Sequence, residues 1–459
     1  MYFRQFKVEG LGCYSYLIGC PGSGTAFVVD PERHVAPYLE TAEQEGMEIT
    51  HIFDTHLHAD HISGAVELAA KTGAEICVHP EMKPGYSHRE VSNGDRFYFG
   101  VAKVEVFETP GHTPNSITLA VADTTRSSQA MLLLTGDLLF VGDIGRPDLA
   151  GDDLLEQQVR NLYKSLYNTL SSFEDWVEIY PAHGAGSLCG KGMASKPMST
   201  LGFERKHNPL LNNMPFDDFR QIMTSGFQPR PPGFVEIVSK NHVAPTLLGS
   251  MPEVRKMSVY EVESLREKGA VLVDVRHAAS FGASFIPGSI NIGLTSKSAT
   301  WLGMVAQTNK DIVVISDSER DAHAAVHQFR RVGFDRILGF LGEGISNWAM
   351  MAMPLDYLPQ LSVQSLDSLL RKYPDHIVLD VRTEEEWDSG HIDTAVHKPI
   401  ADLVREGIDI QDKKRHISVI CGSGHRSNIA GSFLKAAGYE NTYSVIGGMM
   451  AWMQMKRKQ

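Results

Sequence analysis

Three histidines and one aspartate crowd a short segment that directly follows an apolar, β-type run at residues 49–53. They are His56, His58, Asp60 and His61. Imidazole and carboxylate groups are side chains that bind Zn²⁺ and Fe²⁺, and the end of a strand would hold them on a rigid segment. This spacing predicts a metal-binding site.

Three further candidate ligands lie at separate positions, each beside residues that favour turns. They are His112 in Thr109-Pro-Gly-His-Thr-Pro114, Asp137 in Thr135-Gly-Asp137, and His183 in Pro181-Ala-His-Gly184. Any one of them alone would be an ordinary loop or cap residue. Because such residues recur beside turns in several segments, we expect them to converge with the first group at one end of a sheet.

A second reactive constellation lies near the end of the sequence. Residues 416–420 are predicted to form a buried strand and residues 428–437 a helix. Between them, the loop Cys421-Gly-Ser-Gly-His-Arg-Ser427 places a thiol near a helix N-terminus and beside Arg426. Both features stabilise negative charge, so we expect the Cys421 thiol to be acidic and a persulfide on it to be held as an anion. Cys421 and Arg426 are the candidate catalytic residues, and the remaining loop residues would bind the sulfur: Gly422, Ser423, Gly424, His425 and Ser427.

The chain has five cysteines, and none forms a C-x-x-C pair. An odd count without such a pair argues against a disulfide framework or a zinc knuckle. Cys189 and Cys20 lie in glycine-rich loops, so both are possible reactive thiols. Cys13 and Cys77 lie in apolar, strand-like segments, and we expect both in the core.

The elements that must position these groups follow an α/β pattern. Short apolar strands, such as residues 49–53 and 131–135, alternate with helical segments, such as residues 64–72 and 153–170. A chain of 459 residues is too long for a single core. The Pro-rich stretch at residues 228–233 would interrupt regular structure after the first domain.

Beyond residue 256 the sequence repeats itself. Val271-Leu-Val-Asp-Val-Arg276 recurs as Ile377-Val-Leu-Asp-Val-Arg382, and a period of roughly a hundred residues is that of a whole domain. The sequence therefore predicts three domains, at residues 1–250, 256–354 and 360–457. Where the last copy has the Cys421 loop, the middle copy has Ser316-Asp-Ser-Glu-Arg-Asp-Ala322, which contains no cysteine. We therefore expect a spacer or assembly role for the middle copy.

The overall composition excludes several classes of protein. Hydrophobic residues make up 42% and charged residues 21%, as in ordinary soluble globular proteins. The formal net charge of -12 at pH 7 argues against nucleic acid or an anionic membrane surface as the main partner. The first residues lack the apolar core of a signal peptide, and no apolar run is long enough to span a bilayer. We expect a cytoplasmic protein that forms a homo-oligomer.

The histidine-rich segment resembles the metallo-β-lactamase superfamily, whose H-x-H-x-D-H motif stands here as His56 to His61. This resemblance implies an αββα sandwich for the first domain. The flanks Thr55-His-Leu-His-Ala-Asp-His-Ile-Ser-Gly64, Thr109-Pro-Gly-His-Thr-Pro114 and Gly142-Asp-Ile-Gly-Arg-Pro-Asp148 resemble its persulfide dioxygenase branch. That likeness implies one Fe(II) per chain, held by His56, His112 and Asp137, with open positions for dioxygen. The groups that would orient these ligands and hold water are then His58, Asp60, His61 and His183.

The segment from Gln360 to Lys456 resembles the rhodanese family. Its loop matches the family pattern C-x-x-G-x-R, and the other landmarks are Asp380-Val-Arg382, Glu386-Trp387 and Gly390-His-Ile392. This resemblance implies an active α/β rhodanese domain, in which Cys421 carries the sulfur. The middle repeat would be a rhodanese fold without its nucleophile.

Together these resemblances imply an enzyme of persulfide detoxification. A small thiol persulfide of the glutathione, coenzyme A or bacillithiol type would be oxidised by O₂ to sulfite and thiol. Cys421 would then transfer sulfane sulfur to sulfite and give thiosulfate. Arg146 is a possible binding residue for the anionic carrier.

Two alternatives remain open from the sequence. In a glyoxalase II-like thioester hydrolase, one Zn(II) would be held by His56, His58 and His112, and a second by Asp60, His61 and His183, with Asp137 bridging them. The irregular segment from His183 to Pro252 looks short for the helical substrate domain of that family. The other alternative is a non-enzymatic sulfane-sulfur carrier or redox sensor.

Overall fold

The computed structural model describes residues 1–8, 10–187, 189–190, 192–224 and 233–458. The chain divides into two compact units. The first unit is Met1–Met251 with Arg330–Gly333, and the second is Pro252–Phe329 with Phe334–Gln459. No helix within the described ranges combines the length and the apolar character needed to cross a membrane.

The first unit contains two six-stranded sheets. The first sheet runs in the order β1 (Tyr2–Val8), β2 (Cys13–Cys20), β3 (Thr25–Val29), β4 (Glu48–Phe53), β5 (Glu75–Val78) and β6 (Arg89–Glu90). The second sheet contains β7 (Arg96–Phe99), β8 (Ala102–Glu108), β9 (Ile117–Asp123), β10 (Leu132–Gly136), β11 (Glu178–Pro181) and β12 (Ser199–Thr200). Its order is β12-β11-β10-β9-β8-β7.

These two sheets pack face to face, and their helices cover the outer faces. All eight residues of β2 are buried, because Tyr16 and Ile18 face the opposite sheet while Leu17 faces the helices. The first sheet is covered by α1 (Ala36–Gln44) and α2 (Ala65–Thr72). The second is covered by α3 (Leu155–Lys164), α4 (Leu201–His207) and α5 (Phe216–Met223), and α6 (Gly233–Val243) follows. The predicted αββα sandwich is confirmed.

The second unit contains two copies of one parallel, five-stranded sheet. The strands of the middle repeat are β13 (Arg255–Met257), β14 (Val271–Asp274), β15 (Ile290–Asn291), β16 (Ile312–Ile315) and β17 (Ile337–Leu341). Those of the last repeat are β18 (Gln360–Leu361), β19 (Ile377–Asp380), β20 (Ala395–His397), β21 (Ile417–Ile420) and β22 (Thr442–Val445). The orders β13-β17-β16-β14-β15 and β18-β22-β21-β19-β20 are the same, strand for strand.

Helices cover these parallel sheets, and the central strands β16 and β21 are buried at every residue. The middle repeat has α7 (Val259–Glu267), α8 (Ala278–Ala283), α9 (Ser298–Val305), α10 (Glu319–Arg331) and α11 (Gly344–Met350). The last repeat has α12 (Val363–Lys372), α13 (Glu384–Asp388), α14 (Ile400–Glu406), α15 (His425–Ala436) and α16 (Gly448–Lys456). The predicted α/β class of both repeats is confirmed.

Two predicted helices differ from the observed ones at their ends. The helix expected at residues 153–170 is regular only over α3, because a 3₁₀ turn precedes it and a π turn, Ser165–Thr169, follows it. The helix expected from residue 428 begins at His425, since Gly424 adopts a positive φ of 108° and turns the chain directly into it. Residues 228–232 of the predicted Pro-rich break lie outside the described residues.

Candidate metal centre and sulfur-transfer site

Strand ends bring the predicted metal ligands together in the first unit. His56 follows β4, Asp137 follows β10, and His183 follows β11. His112 lies in the loop between β8 and β9. All four side chains are buried. The structure thus brings these four residues together, as expected from their positions beside turns.

His56, His112 and Asp137 form one compact set, with their ligand atoms all within 4.8 Å of one another. The Nε2 atom of His112 lies 3.3 Å from Asp137 Oδ2, and the Nε2 atom of His56 lies 3.7 Å from it. Asp137 Oδ2 is buried and has no hydrogen-bond partner among the described residues. A buried carboxylate oxygen facing two imidazole nitrogens is the arrangement expected where a cation binds.

Hydrogen bonds fix the tautomers of both histidines. Thr55 donates its hydroxyl proton to Asp30 Oδ2 (2.8 Å), so the same hydroxyl oxygen accepts from His56 Nδ1 (3.0 Å). His112 Nδ1 donates to the carbonyl oxygen of Arg146 (2.9 Å). In each ring the proton lies on Nδ1, and the Nε2 lone pair faces Asp137. This is the orientation that metal-binding histidines require.

The electrostatics of this set also suit a cation. Burial, with a smaller effect of His58, holds the pKa of His56 well below its usual value, and burial lowers the pKa of His112. Burial alone would raise the pKa of Asp137, but His183, His56 and His112 together hold it below its usual value. Neutral imidazoles and an ionised carboxylate are the protonation states that bind metal. The residues present therefore fit a divalent metal ion.

A second cluster adjoins the first and includes a residue that sequence reasoning missed. His183 contacts Asp137 Oδ1 through Nδ1 (2.6 Å) and Asp60 Oδ2 through Nε2 (2.9 Å). Asp60 Oδ1 lies 3.1 Å from His61 Nδ1. Cys13, expected only as a core residue, donates its thiol to Asp60 Oδ2 at 3.2 Å. It belongs to the cluster Cys13, Asp60, His61 and His183.

Nothing in the sequence around Cys13 separated it from a core cysteine. It begins the fully buried strand β2, and most residues of that strand are apolar or aromatic. Only the tertiary structure brings that strand end to His183, with which Cys13 forms an isolated β-bridge. Cys77, by contrast, lies in the core between the sheets, as expected.

His58 lies beside His56, with 4.3 Å between the ring centres, but it is not one of the three-residue set. Its Nε2 atom lies 3.2 Å from Asp30 Oδ1, and it groups with Asp30 and Asp54. Its Nδ1 atom is buried without a hydrogen-bond partner among the described residues. In this structure His58 therefore supports the centre through Asp30, which also binds Thr55, while one ring nitrogen stays available for a ligand.

The predicted carrier-binding residue Arg146 is buried, and its guanidinium binds both carboxylate oxygens of Asp148 at 2.6–2.7 Å. Its backbone carbonyl orients His112. The direct role visible for Arg146 is therefore support of a ligand, and binding of the carrier stays a prediction.

The two loop thiols differ sharply in their surroundings. Cys189 is buried beside Asp137 and His183, and burial raises its pKa to about 12. The pKa of Cys20 is lowered, mainly by a hydrogen bond from the backbone of Val101. Of the two, only Cys20 has surroundings that favour a thiolate.

The predicted sulfur-binding loop lies between β21 and α15, with Cys421 at its start. Cys421 is buried, and its Sγ accepts a hydrogen bond from the backbone N–H of Gly424 at 3.1 Å. Ser427 closes the loop from inside by donating to the Gly424 carbonyl (2.9 Å). Two backbone amides of α16, those of Met449 and Met450, donate to the carbonyls of Cys421 and Gly422. The loop is thus fixed from both sides.

Arg426 lies in the first turn of α15 and forms a bidentate ion pair with Glu386, both contacts being 2.6 Å. The ion pair lowers the pKa of Glu386 to about 2. A second buried pair, Asp380 with Arg382, ties the end of β19 to α13, because Arg382 also donates to the Glu386 carbonyl. Hydrogen bonds and ion pairs thus connect Asp380, Arg382 and Glu386, which lie outside the loop, to Arg426 within it.

The comparisons with known proteins agree with a first domain that contains the candidate metal centre and two repeats that follow it. The family model described as Metallo-beta-lactamase superfamily matches residues 8–170, and the one described as Rhodanese-like domain matches residues 258–351 and 362–455. Hydroxyacylglutathione hydrolase of Rhodospirillum rubrum is 40% identical over 136 residues, which are 29% of this chain and 50% of that enzyme. The chain spans about half the length of this relative.

Persulfide dioxygenase ETHE1, mitochondrial, of Homo sapiens is 27% identical over 225 residues, which are 49% of this chain and 81% of that protein. Among solved structures, a metallo-beta-lactamase from Staphylococcus aureus subsp. aureus COL is 30% identical. It aligns with a TM-score of 0.67 over 74% of this chain and 98% of its own. The chain therefore belongs to the metallo-β-lactamase superfamily, and two rhodanese-like domains follow its superfamily domain.

Proposed function

We propose that the first unit oxidises a small thiol persulfide with dioxygen at one Fe(II), and that Cys421 transfers sulfane sulfur to the sulfite formed. One observation carries the first half of this proposal. Asp137 presents Oδ2 to His56 and His112, whereas its Oδ1 accepts from His183 at 2.6 Å. A carboxylate used in this way offers one oxygen to one three-residue metal site.

His56, His112 and Asp137 would hold the iron. Bound there, Fe(II) supplies open positions at which dioxygen is activated beside a persulfide. The net reaction is R–S–SH + O₂ + H₂O → R–SH + SO₃²⁻ + 2 H⁺. The chain's own residues bury the three side chains, and Thr55 and the Arg146 carbonyl hold the two histidine rings in one orientation.

The transfer step needs no redox partner. A Cys421 persulfide gives its outer sulfur to sulfite, so that one S–S bond breaks and one S–S bond forms. The thiol of Cys421 is restored with its proton, and thiosulfate leaves. Before and after the step, the Gly424 N–H is placed to stabilise negative charge on Sγ.

A second candidate, a dinuclear thioester hydrolase, has its own supporting observations. The ligand atoms of Asp60, His61 and His183 also converge, and His58 Nδ1 is buried without a partner among the described residues. A hydroxyacylglutathione hydrolase is 40% identical to this chain over 136 residues. Metal stoichiometry and substrate preference separate the two candidates.

The test is anaerobic metal loading followed by assays of the full chain. We expect one iron per chain, and O₂ uptake with glutathione persulfide that depends on iron. His112→Gln should lose iron and O₂ uptake together, whereas the half-exposed His88→Gln should keep both. Two zinc ions per chain, with cleavage of a glutathione thioester and no O₂ uptake, would overturn the proposal in favour of the hydrolase.

A further inference from the structure

The second unit contains a cavity of about 580 Å³ that both repeats line. The last repeat contributes Ser423, Gly424 and His425 of the sulfur-binding loop. Gly424 is also the residue whose N–H binds the Sγ of Cys421. The cavity therefore adjoins the candidate nucleophile.

Direct contacts hold the two repeats together around this cavity. Asn428 of α15 donates to Asn291 of β15 (2.5 Å), and both side chains are buried. The ring of His425 lies edge-on to Trp301 of α9, with 5.9 Å between the ring centres. His425 Nε2 is buried and has no hydrogen-bond partner in the described part of the chain. The wall opposite the sulfur-binding loop thus belongs to the middle repeat.

That opposite wall is acidic. Asp317 and Asp321 line the cavity. Asp317 lies in the loop that follows β16, as the Cys421 loop follows β21, and Asp321 lies in the first turn of α10. Counted from the ends of these strands, Asp321 stands where the last repeat has Arg426, so the charge is reversed at the matching position. Ser318 donates to Asp321 Oδ2 (2.7 Å) and holds that carboxylate in place.

The cationic side chain in the same wall does not neutralise these acids. Arg276 lines the cavity, but its guanidinium is bound to the buried Asp274 and to the Ser284 carbonyl. The last repeat therefore lines the cavity with residues of the loop that holds the Cys421 sulfur, and the middle repeat lines it with two carboxylates. A ligand that matches both sets of residues has a sulfur anion and a cationic group.

We propose that this cavity binds the sulfur donor of Cys421, and that the donor is a thiol persulfide bearing an ammonium group, which Asp317 and Asp321 recognise. The proposal rests on the sulfurtransferase half of the proposed function. It assigns the middle repeat a part in substrate choice, in place of the spacer role expected from its missing cysteine. Glutathione and bacillithiol carry an amino group of this kind, whereas coenzyme A brings several phosphate charges that the acidic wall would repel.

The loading step balances without a further reactant. The Cys421 thiolate attacks the outer sulfur of R–S–SH, a new S–S bond forms at Sγ, and the S–S bond of the donor breaks. The departing R–S⁻ takes up the proton released by Cys421 and leaves as R–SH. The ammonium group stays unchanged, so its contact with the acids affects binding alone.

The test compares two donors that differ at the amino group, cysteine persulfide and N-acetylcysteine persulfide. The rate of loading is read from the mass gain of one sulfur atom on Cys421 in the full chain. We expect the wild-type chain to load faster from cysteine persulfide at subsaturating donor, by roughly fivefold to tenfold, as two partly exposed ion pairs allow. In Asp317→Asn/Asp321→Asn the ratio should fall to about one, while loading from the acetylated donor is unchanged or faster.

Glu319→Gln is the control, because it removes one negative charge at an exposed residue between Asp317 and Asp321, at the start of α10 and outside the cavity lining. It should keep the wild-type preference. Equal loading from both donors in the wild-type chain, or an equal loss of preference in Glu319→Gln, would overturn the recognition by Asp317 and Asp321. Failure of every persulfide to load Cys421 would instead overturn the sulfurtransferase function itself.

Discussion

At the scale of single residues, the candidate metal centre depends on groups that hold no metal. Thr55 fixes the tautomer of His56 only because its own proton is engaged by Asp30. The Arg146 carbonyl does the same for His112. Without these acceptors either ring could carry its proton on Nε2, where it would block the lone pair.

We expect Thr55→Val to lower metal affinity without removing a ligand. The variant keeps the shape of the side chain but removes the acceptor for His56 Nδ1 and a donor to Asp30. Loss of such a supporting hydrogen bond typically weakens metal binding by roughly 10- to 100-fold. The measurement is competition for the metal against a chelator of known affinity.

Thr118→Val provides the matched control. Thr118 is also fully buried, and its hydroxyl bonds at 3.0 Å to that of Thr109, which is not a proposed ligand. Both variants should lower thermal stability to a similar extent, and only Thr55→Val should lower metal affinity. An unchanged affinity in Thr55→Val would contradict the tautomer argument.

Sequence reasoning at this scale predicted the three ligands and a supporting role for His183, which binds Asp137, but not the groups that fix the tautomers of His56 and His112. His56, His112 and Asp137 stand out because polar, metal-binding side chains rarely recur beside turns by chance. Asp30 and Thr55 are common residues at strand ends, and their roles depend on partners 25 residues apart in the chain. Cys13 was missed for the same reason, since its neighbours in sequence are those of a core strand.

At the scale of elements, the sulfur-binding loop depends on the start of α16. Gly448 begins this helix with a φ of +52°, and a Cβ on it would overlap the carbonyl oxygen of Cys421. The same turn donates two backbone amides to the loop. The glycine thus allows a helix to close directly over the nucleophile.

We therefore expect Gly448→Ala to impair sulfur transfer more than it lowers stability. The positive φ alone costs about 1–3 kcal/mol for a residue with a side chain, and the overlap must in addition displace the Cys421 loop. Gly438→Ala is the control, because Gly438 has a φ of +87° but nothing within 4 Å of the added Cβ. Thermal unfolding and Cys421 loading are measured on both.

Similar losses of stability are expected in the two variants, with a marked loss of loading in Gly448→Ala only. Equal loading in both would show that the loop tolerates displacement.

The order of the elements was predictable here, because the strand, cysteine loop and helix follow in sequence. The packing of α16 on the loop was not, since Gly448 lies beyond the next strand, β22.

At the scale of the whole molecule, the two units should respond differently to metal. A ligand that binds only the folded state stabilises it, by about 2.7 kcal/mol at a free concentration 100 times its Kd. For a unit of this size that corresponds to a rise in Tm of roughly 5–10 °C. We expect anaerobic Fe(II) to raise one unfolding transition by this amount and to leave the other unchanged.

His112→Gln identifies which transition belongs to the metal centre. Its first unit should unfold at the same temperature with and without Fe(II), because one of the three ligands is gone. Differential scanning calorimetry of the full chain measures both transitions together. A shift that persists in His112→Gln would place the stabilising metal somewhere other than the predicted site.

The repeat in the sequence predicted two copies of one fold, the first of them without a nucleophile, and the role expected for that middle copy was that of a spacer or assembly domain. The proposed part of Asp317 and Asp321 in substrate choice can be inferred only from the fold, which places them in the lining of the cavity with Gly424. Contacts between domains depend on packing that no local pattern records. This is why fold class could be read from sequence, while substrate choice could not.

If the metal centre oxidises the persulfide and Cys421 transfers the sulfur, Cys421→Ser should affect the transfer step alone. This variant keeps every residue of the metal centre, so O₂ uptake with a persulfide should survive. Sulfite should accumulate and thiosulfate should fall, because there is no persulfide on residue 421 that could transfer its outer sulfur to sulfite. Both anions are measured in one assay alongside oxygen.

Mixing Cys421→Ser with His112→Gln tests the same division between chains. The first variant can still make sulfite, and the second keeps the cysteine that consumes it, so thiosulfate should reappear in the mixture in proportion to the second variant. Recovery requires sulfite to travel between molecules as a free product. If Cys421→Ser lost its O₂ uptake, the oxidation itself would depend on Cys421, and the assignment of separate steps to separate sites would be wrong.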